Sequence, residues 1–294
     1  MTVTDKPALI FYGNCQANAL SSIFAADATI TADFSVHYLA SFDDRLPGTS
    51  EIAPSVVAST AVLFEQYDPV QFPHRALLPA TSVTITFPSV DFNLVWPLAG
   101  RNIFNDAPTP ERLWGTFPYG DRVIIDSVKS GCSVDEVLQA YASTAVDRLP
   151  NLDRFAELEW GRLGARDAKC DVKMADFVES QFRSMNLFWC LNHPTLETLG
   201  ELCMRVIAEA QTRGGAISSG TLAQTLAALP VQGPLGVLRV PVHPAVAKHF
   251  QLTWIPDAEA AVYGLWGEPL TYDEYFRQMA ERSVEVRDAG AAEQ

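Results

Sequence analysis

The sequence predicts an α/β protein in which a small N-terminal parallel-sheet subdomain is joined to a predominantly helical, loop-rich part. The apolar run Leu9–Tyr12 ends at Gly13 and passes directly into a helical pattern. Three further short apolar runs follow before residue 88, separated by short helical or loop segments, which is typical of a small parallel sheet. From Ser133 onward, apolar residues recur mainly at helical spacing.

The first strand meets the first helix at the segment Gly13-Asn14-Cys15-Gln16. Glycine permits a tight or positive-φ turn and asparagine tolerates one, so the chain changes from strand to helix within about four residues. Such a turn leaves backbone N–H groups free at the helix start. Cys15 falls in the first helical turn, where the dipole favours a thiolate, and we expect a depressed thiol pKa. The competing interpretation of Cys15 is a small residue that serves packing alone.

Three more strands are predicted, over Phe34–Leu39, Val62–Gln66 and Thr81–Phe87, with a loop over Asp43–Pro54. The last of these strands is rich in β-branched residues and is stopped by a proline. Ligands of small parallel sheets bind at the C-terminal edge of the strands. The segments expected on that edge are Gly13–Gln16, Glu65–Tyr67 and Phe87–Ser89.

The segment Phe92–Tyr119 has few regular patterns but many aromatic residues and prolines, among them Trp96-Pro97 and Trp114. Loops this long and this apolar are seldom free surface. We expect this segment to line or cover a cavity.

Helices dominate the rest of the chain. Ser133 and Glu136 form a capping-box pattern, and Thr271 and Glu274 form another before a last helix that reaches Arg282 or its neighbours. Between the two boxes the patterns predict helices over Leu149–Leu163, Val172–Leu191 and Leu196–Gln211 and a short strand over Val237–Val240. The predicted organisation is an α/β subdomain over 1–130, a mainly helical part packed against it over 131–287, and a disordered tail over 288–294.

Charge and composition exclude several classes of function. The formal net charge of −14 over 294 residues argues against a nucleic-acid partner or an anionic membrane. Five widely spaced cysteines without a C-x-x-C pair argue against a disulfide framework or zinc site, and the five histidines lack metal-ligand spacing. We find no signal-peptide pattern and no apolar run of transmembrane length, so we expect a protein of the reducing cytoplasm.

The basic residues are unevenly distributed, with three in residues 1–100 and eleven in residues 101–183. If the ligand is polyanionic, its phosphates are expected to meet the middle segment, because phosphates favour arginine and lysine. The alternative is a solvated helix surface. The side chains that this segment can supply include Arg101, Arg112, Arg122 and Lys129.

Two His-Pro pairs, His193-Pro194 and His243-Pro244, lie at boundaries between predicted elements. A histidine is the usual partner of a nucleophile, because its pKa near neutrality lets it take and return a proton. His193 is the stronger candidate, and a capping or structural role is the alternative for both.

Familiar cofactor motifs are missing from the first turn. Neither G-x-x-x-x-G-K-[ST] nor G-x-G-x-x-G occurs there, so nucleoside-triphosphate and dinucleotide interpretations lack their fingerprints. The Gly-Asn-Cys turn is topologically similar to the Gly-Asp-Ser turn of SGNH-type esterases. Cysteine would replace serine, and no Asp-x-x-His follows near the C-terminus, which weakens a hydrolase interpretation.

Four motifs occur in order along the chain: Gly13-Asn14-Cys15-Gln16, Phe87-Pro88-Ser89 with Phe92 and Trp96-Pro97, Leu187-Phe188 with Asn192-His193-Pro194-Thr195, and Pro241-Val242-His243-Pro244. With this combination the chain resembles the WcbI family of polysaccharide-biosynthesis proteins, whose members are viewed as acetyltransferases. The resemblance implies a cradle-like fold with coenzyme A in a deep, loop-lined pocket. It also implies acetyl-coenzyme A as donor, O-acetylation of a bacterial capsule or other surface sugar, and other polysaccharide-assembly enzymes as partners.

The resemblance and the residue patterns together assign candidate roles. Cys15 either accepts the acyl group or abuts the thioester, and His193 is the base for Cys15 or, directly, for the sugar hydroxyl. The residues expected to contact coenzyme A are Gly13, Asn14, Gln16, Ser89, Arg122 and Lys129. Two alternatives stay open: an SGNH-like esterase with a cysteine nucleophile, and a non-catalytic component that binds a carbohydrate or a coenzyme.

Overall fold

The computed structural model describes residues 6–42, 51–67, 71–144, 149–257 and 259–292. Most of the predicted loop Asp43–Pro54 lies outside these residues. The strands are Ala8–Gly13 (β1), Ser35–Ala40 (β2), Thr60–Gln66 (β3), Val83–Phe87 (β4), Ala99–Arg101 (β5), Tyr119–Asp121 (β6), Phe188–Cys190 (β7), His193–Pro194 (β8), Leu238–Arg239 (β9), Tyr263–Leu265 (β10) and Glu268–Leu270 (β11). The helices are Cys15–Ala26 (α1), Ala28–Asp33 (α2), Pro54–Ala58 (α3), Arg122–Lys129 (α4), Val134–Ala142 (α5), Leu152–Asp167 (α6), Ala175–Gln181 (α7), Leu196–Thr212 (α8), Leu222–Ala228 (α9), Pro244–Phe250 (α10) and Tyr272–Ala292 (α11).

The chain divides into two compact units, each assembled from three segments. Unit 1 comprises residues 1–91, 160–181 and 192–235, and unit 2 comprises residues 92–159, 182–191 and 236–294. The units interleave along the sequence, whereas the predicted domains 1–130 and 131–287 are contiguous; that division stays a prediction.

Unit 1 is built on a four-stranded parallel sheet in the order β2-β1-β3-β4, which confirms the predicted α/β class. Every residue of β1 is buried, as expected for the central strand of a sheet covered on both faces. On one face, Phe24 of α1 packs edge-on against Phe11 and Phe64, with ring centroids 4.8 Å and 5.6 Å away. On the other face, Tyr12 and Phe72 belong to a second apolar cluster.

The C-terminal ends of β1, β3 and β4 lie along one edge of this sheet. Tyr12 pairs with Glu65, and Gln66 pairs with Phe87, so the chain leaves all three strands at the same level. The prediction that three candidate segments share this edge is therefore confirmed.

Unit 2 contains the predicted capping boxes. The Glu136 carboxylate accepts hydrogen bonds from the backbone and hydroxyl of Ser133 at the start of α5, and Glu274 does the same for Thr271 at the start of α11. The core of this unit is apolar, with Tyr275 fully buried at its centre. Two small antiparallel sheets, β5-β6 and β11-β10-β9, complete it.

Two predicted helical boundaries are wrong. The single helix over Val172–Leu191 is replaced by α7 and, after a turn, the strand β7. The Val240 N–H donates to the Trp189 carbonyl at 2.7 Å, so Phe188 and Trp189 belong to an extended segment, whereas Phe177 lies in α7. The last helix continues to Ala292, past Arg282 and into the predicted disordered tail. Arg287 donates to two backbone carbonyls of unit 2 and holds these last turns in place.

In the described part of the chain, no helix combines the length and the apolar character that crossing a membrane requires.

Candidate active site

The turn between β1 and α1 requires glycine at its first position. A Cβ added to Gly13 would lie 2.6 Å from the Cβ of Gln66 and 3.0 Å from that of Ala17. Real Cβ atoms do not approach this closely, and the φ of +156° also favours glycine. Gly13 thus lets the strand pass tightly beside β3 and enter the helix at once.

Asn14 is the N-cap of α1. Its Oδ1 accepts a hydrogen bond from the Gln16 N–H at 2.8 Å, and its own N–H donates to Gln66 Oε1 at 2.8 Å. Its Nδ2 has only a long contact, 3.5 Å, with the Ser89 hydroxyl. The amide donor of Asn14 therefore stays available to a ligand, and the contact of Asn14 with the cofactor stays a prediction.

Gln16 does not have the predicted cofactor contact through its side chain. The side chain is fully buried, and its Nε2 donates to the carbonyls of Val90 (2.8 Å) and Asn192 (2.9 Å). Its Oε1 accepts from the Val90 N–H (2.9 Å) and from Gln66 Nε2 (3.2 Å). With all these positions filled by the protein, Gln16 serves to hold the turn to two distant segments.

The predicted segment Glu65–Tyr67 contributes Gln66 and not Glu65. The Glu65 carboxylate accepts from the Phe72 N–H at 2.7 Å and is ion-paired with Arg75, so it stabilises the fold. Gln66 contacts both Asn14 and Gln16 and supports the turn from β3.

The thiol of Cys15 is not activated. Burial raises the pKa of Cys15 to about 11, and this outweighs the opposite effect of the backbone N–H groups of Cys15 and Gln16. The expected depressed pKa is therefore wrong: the helix start does favour the thiolate, but the loss of hydration disfavours it more strongly. At neutral pH the Cys15 side chain is a neutral thiol.

The Cys15 thiol and the hydroxyl of Tyr38 in β2 interact electrostatically. Burial, and after it a charge on Cys15, raise the pKa of Tyr38. The Tyr38 hydroxyl contacts the carbonyls of Gly13 (3.1 Å) and Asn14 (3.3 Å). Ser41 follows β2 directly, and its N–H donates to the Gly13 carbonyl at 3.0 Å.

The sequence patterns do not single out Tyr38 and Ser41 as site residues. The sequence does contain a signal for this position. The predicted second strand ends at Leu39, and its C-terminal end lies on the same edge of the sheet as those of the other three strands. Among the described residues, the Ser41 hydroxyl is buried and has no hydrogen-bond partner.

The His193 ring is neutral, and one of its nitrogens has no hydrogen-bond partner among the described residues. Burial lowers the pKa of His193 to about 4, and a hydrogen bond to the Leu235 backbone opposes this shift only in part. Since that bond favours the protonated ring, a ring N–H donates to the Leu235 carbonyl. Nδ1 is buried without a partner in the described part of the chain, which leaves Nε2 as the donor and Nδ1 as an unused acceptor.

Cys15 and His193 are connected through Gln16. The described residues show no hydrogen bond between the Cys15 thiol and the His193 ring. Gln16 follows Cys15 in the chain, and its Nε2 holds the carbonyl of Asn192, the residue before His193. The Gln16 side chain thus holds the segments of Cys15 and His193 together, but the His193 ring does not act as a base toward the thiol.

Ser89 lies beside Asn14 and also contacts Arg166 of α6. The Ser89 carbonyl accepts from Arg166 at 3.1 Å, and Asp91 is ion-paired with both Arg162 and Arg166. These cations belong to unit 1, as the turn does. The predicted phosphate ligands Arg122 and Lys129 are exposed side chains on α4 of unit 2, and their role stays a prediction.

His243 is a structural residue. Its Nδ1 accepts from the Ala245 N–H at 3.1 Å as the N-cap of α10, and its Nε2 lies 3.3 Å from the Tyr141 carbonyl, to which it donates. Burial lowers the pKa of His243, and the Tyr141 contact opposes this shift. Because both nitrogens are committed, His243 has no nitrogen with which to act as a base.

A cavity in unit 2 is lined by part of the aromatic segment, which confirms the expectation for residues 92–119. Asp121 caps α4 by accepting from the Val123 N–H at 2.8 Å, and burial raises its pKa to about 7. The wall includes Trp96, Leu98, Tyr119, Tyr141 and Phe276.

Across the described residues, no group of three or more His, Cys, Asp or Glu side chains is arranged to hold a metal ion.

The similarity to known proteins includes the segment that contains the turn. The sequence profile of a family described as the polysaccharide biosynthesis enzyme WcbI matches residues 8–214. No curated protein matches the chain. A solved structure of WcbI, described as a novel polysaccharide biosynthesis enzyme, is similar to the chain with a TM-score of 0.67 at 17% sequence identity, covering 97% of this chain and 93% of that one. That structure is described as the native protein without a disulfide bond between coenzyme A and a cysteine.

Proposed function

Because the chain belongs to the WcbI family of polysaccharide biosynthesis enzymes, we propose that it binds coenzyme A at the Cys15 turn and acts as an O-acetyltransferase. The donor is acetyl-coenzyme A, and the acceptor is a hydroxyl of a sugar or polysaccharide precursor. Coenzyme A binding is supported by the description of the solved relative, which names coenzyme A and a cysteine together. The acetyl transfer is supported by the chemistry of the residues around the turn.

The observation that carries the proposal is that Nδ1 of His193 is buried without a hydrogen-bond partner among the described residues. A buried polar atom without a partner costs about 1–3 kcal/mol, which a hydroxyl donated by a ligand would recover. The ring is neutral at neutral pH and its other nitrogen is fixed by Leu235, so Nδ1 is oriented to accept a proton.

The residues of the turn fit a thioester ligand. Gly13 brings no side chain, Asn14 offers Nδ2, and Ser89 offers a hydroxyl. The Cys15 thiol is neutral and adds no charge beside a sulfur atom. When bound, acetyl-coenzyme A supplies an acyl group that is already activated as a thioester.

Direct transfer is the route that these residues support. His193 takes the proton of the acceptor hydroxyl as its oxygen attacks, and Cys15 lines the site. A two-step route, and likewise the esterase alternative, needs a cysteine thiolate with a base beside it. The raised pKa of Cys15 and the open Nδ1 of His193 do not favour that arrangement.

Calorimetry with coenzyme A tests the proposal. We expect saturable binding to the wild-type protein, with pantetheine binding more weakly because it lacks the phosphates. ATP is the matched control, since it shares the adenine nucleotide but has no pantetheine arm. No heat of binding at millimolar coenzyme A would overturn the proposal.

The Cys15→Ser variant separates the two routes. We expect it to keep a substantial fraction of wild-type turnover, because in direct transfer the thiol forms no bond with the acyl group. The measurement is the initial rate of coenzyme A release in the presence of a sugar acceptor. Cys132→Ser, at another partly buried cysteine, is the control. Loss of nearly all turnover in Cys15→Ser alone would point to an acyl-cysteine intermediate.

Phosphate recognition by α4 is also testable. Arg122→Ala and Lys129→Ala are each expected to weaken coenzyme A binding by about 1.5–3 kcal/mol and to leave pantetheine binding unchanged, because pantetheine has no phosphate. Calorimetry with both ligands makes the comparison, and Lys248→Ala, at an exposed lysine of α10, is the control. Equal weakening of both ligands would instead identify the α4 cations as solvated surface.

A further inference from the structure

The backbone donors at the turn are largely committed to the protein. The Asn14 N–H donates to Gln66, and the Gln16 N–H donates to the Asn14 side chain. A ligand carbonyl placed beside Cys15 must therefore find its hydrogen-bond donors mainly among side chains.

Ser41 offers such a donor at the same edge of the sheet. Its N–H donates to the Gly13 carbonyl at 3.0 Å, and it directly follows β2, whose last residue, Ala40, pairs with Gly13. Its hydroxyl is buried and has no hydrogen-bond partner in the described part of the chain. The residue as a whole is partly exposed.

We propose that Ser41 is a further catalytic residue, whose hydroxyl donates a hydrogen bond to the acyl oxygen of the thioester. This inference rests on the proposed function. Negative charge develops on the acyl oxygen when the acceptor oxygen adds to the acyl carbon, and a fixed donor stabilises that charge. Asn14 Nδ2, at the same turn, is the second donor to this oxygen.

The transfer balances without any further reactant. His193 takes the proton of the acceptor hydroxyl as the new carbon–oxygen bond forms. Ser41 stabilises the charged acyl oxygen and keeps its own proton. The carbonyl then re-forms as the carbon–sulfur bond breaks, and His193 returns the proton to the departing sulfur.

The test compares Ser41→Ala with Ser59→Ala. Ser59 has its hydroxyl bonded to the Val56 carbonyl and lies at the opposite edge of the sheet, where β1 begins. We expect Ser41→Ala to lower kcat by about 10²–10³-fold with little change in KM, since the bond strengthens only as charge develops. Its unfolding midpoint should stay equal to that of the wild type or rise, because the hydroxyl has no partner to lose. Ser59→Ala should keep the wild-type kcat.

A second measurement is independent of turnover. Acetonyl-coenzyme A has a ketone carbonyl one methylene away from sulfur, and it transfers no acyl group. We expect the infrared stretch of its bound carbonyl at lower wavenumber in the wild type than in Ser41→Ala, because a hydrogen bond polarises the carbonyl. An unchanged stretch in a variant that still binds the analogue would overturn the role of Ser41 alone. Failure of the wild type to bind it would overturn the proposed function as well.

Discussion

Replacing His193 with alanine is expected to lower turnover by about 10²–10⁴-fold, the usual contribution of a general base. In the proposed transfer, Nδ1 of His193, which has no hydrogen-bond partner among the described residues, accepts the proton of the acceptor hydroxyl, and alanine has no group to replace it. Coenzyme A affinity should change little, because the ring acts on the other substrate. The measurement is the steady-state rate of coenzyme A release, with calorimetry on the same preparation.

Two further variants distinguish the loss of the base from a loss of folded structure. His193→Gln keeps an amide N–H that can donate to the Leu235 carbonyl, yet it provides no basic nitrogen, so it should be folded and as slow as His193→Ala. His249→Ala, at a histidine paired with Asp153 on the surface, should keep full activity. An unimpaired His193→Ala enzyme would return His193 to a structural role.

The pH profile gives an independent readout of the same base. Burial lowers the pKa of His193 to about 4, so the ring is neutral and able to accept a proton at every pH above that value. Below it the ring is protonated and the base is lost. The kcat/KM of the wild type should therefore fall as the pH drops through about 4, and not through about 6.5 as for an exposed histidine. An acid limb near 6.5 that disappears in His193→Gln would contradict the buried, neutral ring.

The turn itself was predictable because its determinants are local. An apolar run, a glycine, a capping asparagine and a helical pattern lie within one short stretch, and each has one dominant conformational consequence. The parallel sheet was predictable from four short apolar runs. The predicted helix boundaries are wrong where tertiary contacts determine the conformation. The later part of Val172–Leu191 is extended because the Trp189 carbonyl accepts a hydrogen bond from the Val240 N–H.

The chemistry of the site was less predictable because burial is not a local property. Cys15 has the sequence position of an activated thiol, but its desolvation depends on residues that approach from elsewhere in the chain. His193 and His243 are both followed by proline and look alike in the sequence. They differ because His243 has both nitrogens bonded, whereas Nδ1 of His193 has no partner in the part of the chain that the structure describes.

Gln16→Leu is expected to destabilise the protein by about 4 kcal/mol, or about 10³-fold in the folding equilibrium, which is exceptional for one substitution. Leucine has a similar size but no polar atoms. It leaves the N–H and carbonyl of Val90, the carbonyl of Asn192 and Nε2 of Gln66 without their bonds to Gln16. Each buried group that loses its partner costs about 1–3 kcal/mol, and part of the sum is offset by the greater burial of apolar surface. Urea denaturation of the variant and the wild type measures the difference.

The matched control is Gln224→Leu, the same substitution at an exposed glutamine of α9, which should change stability by less than about 0.5 kcal/mol. Gln16→Glu keeps an acceptor for the Val90 N–H but places a carboxylate oxygen against two carbonyls, so it should be as damaging as leucine. The side chain joins segments that lie 74 and 176 residues further along the chain, the second of which leads into His193. Those Gln16→Leu molecules that stay folded should therefore also lose turnover, because the base is no longer held to the turn. A loss of stability below about 1 kcal/mol with normal turnover would show that Gln16 anchors neither segment.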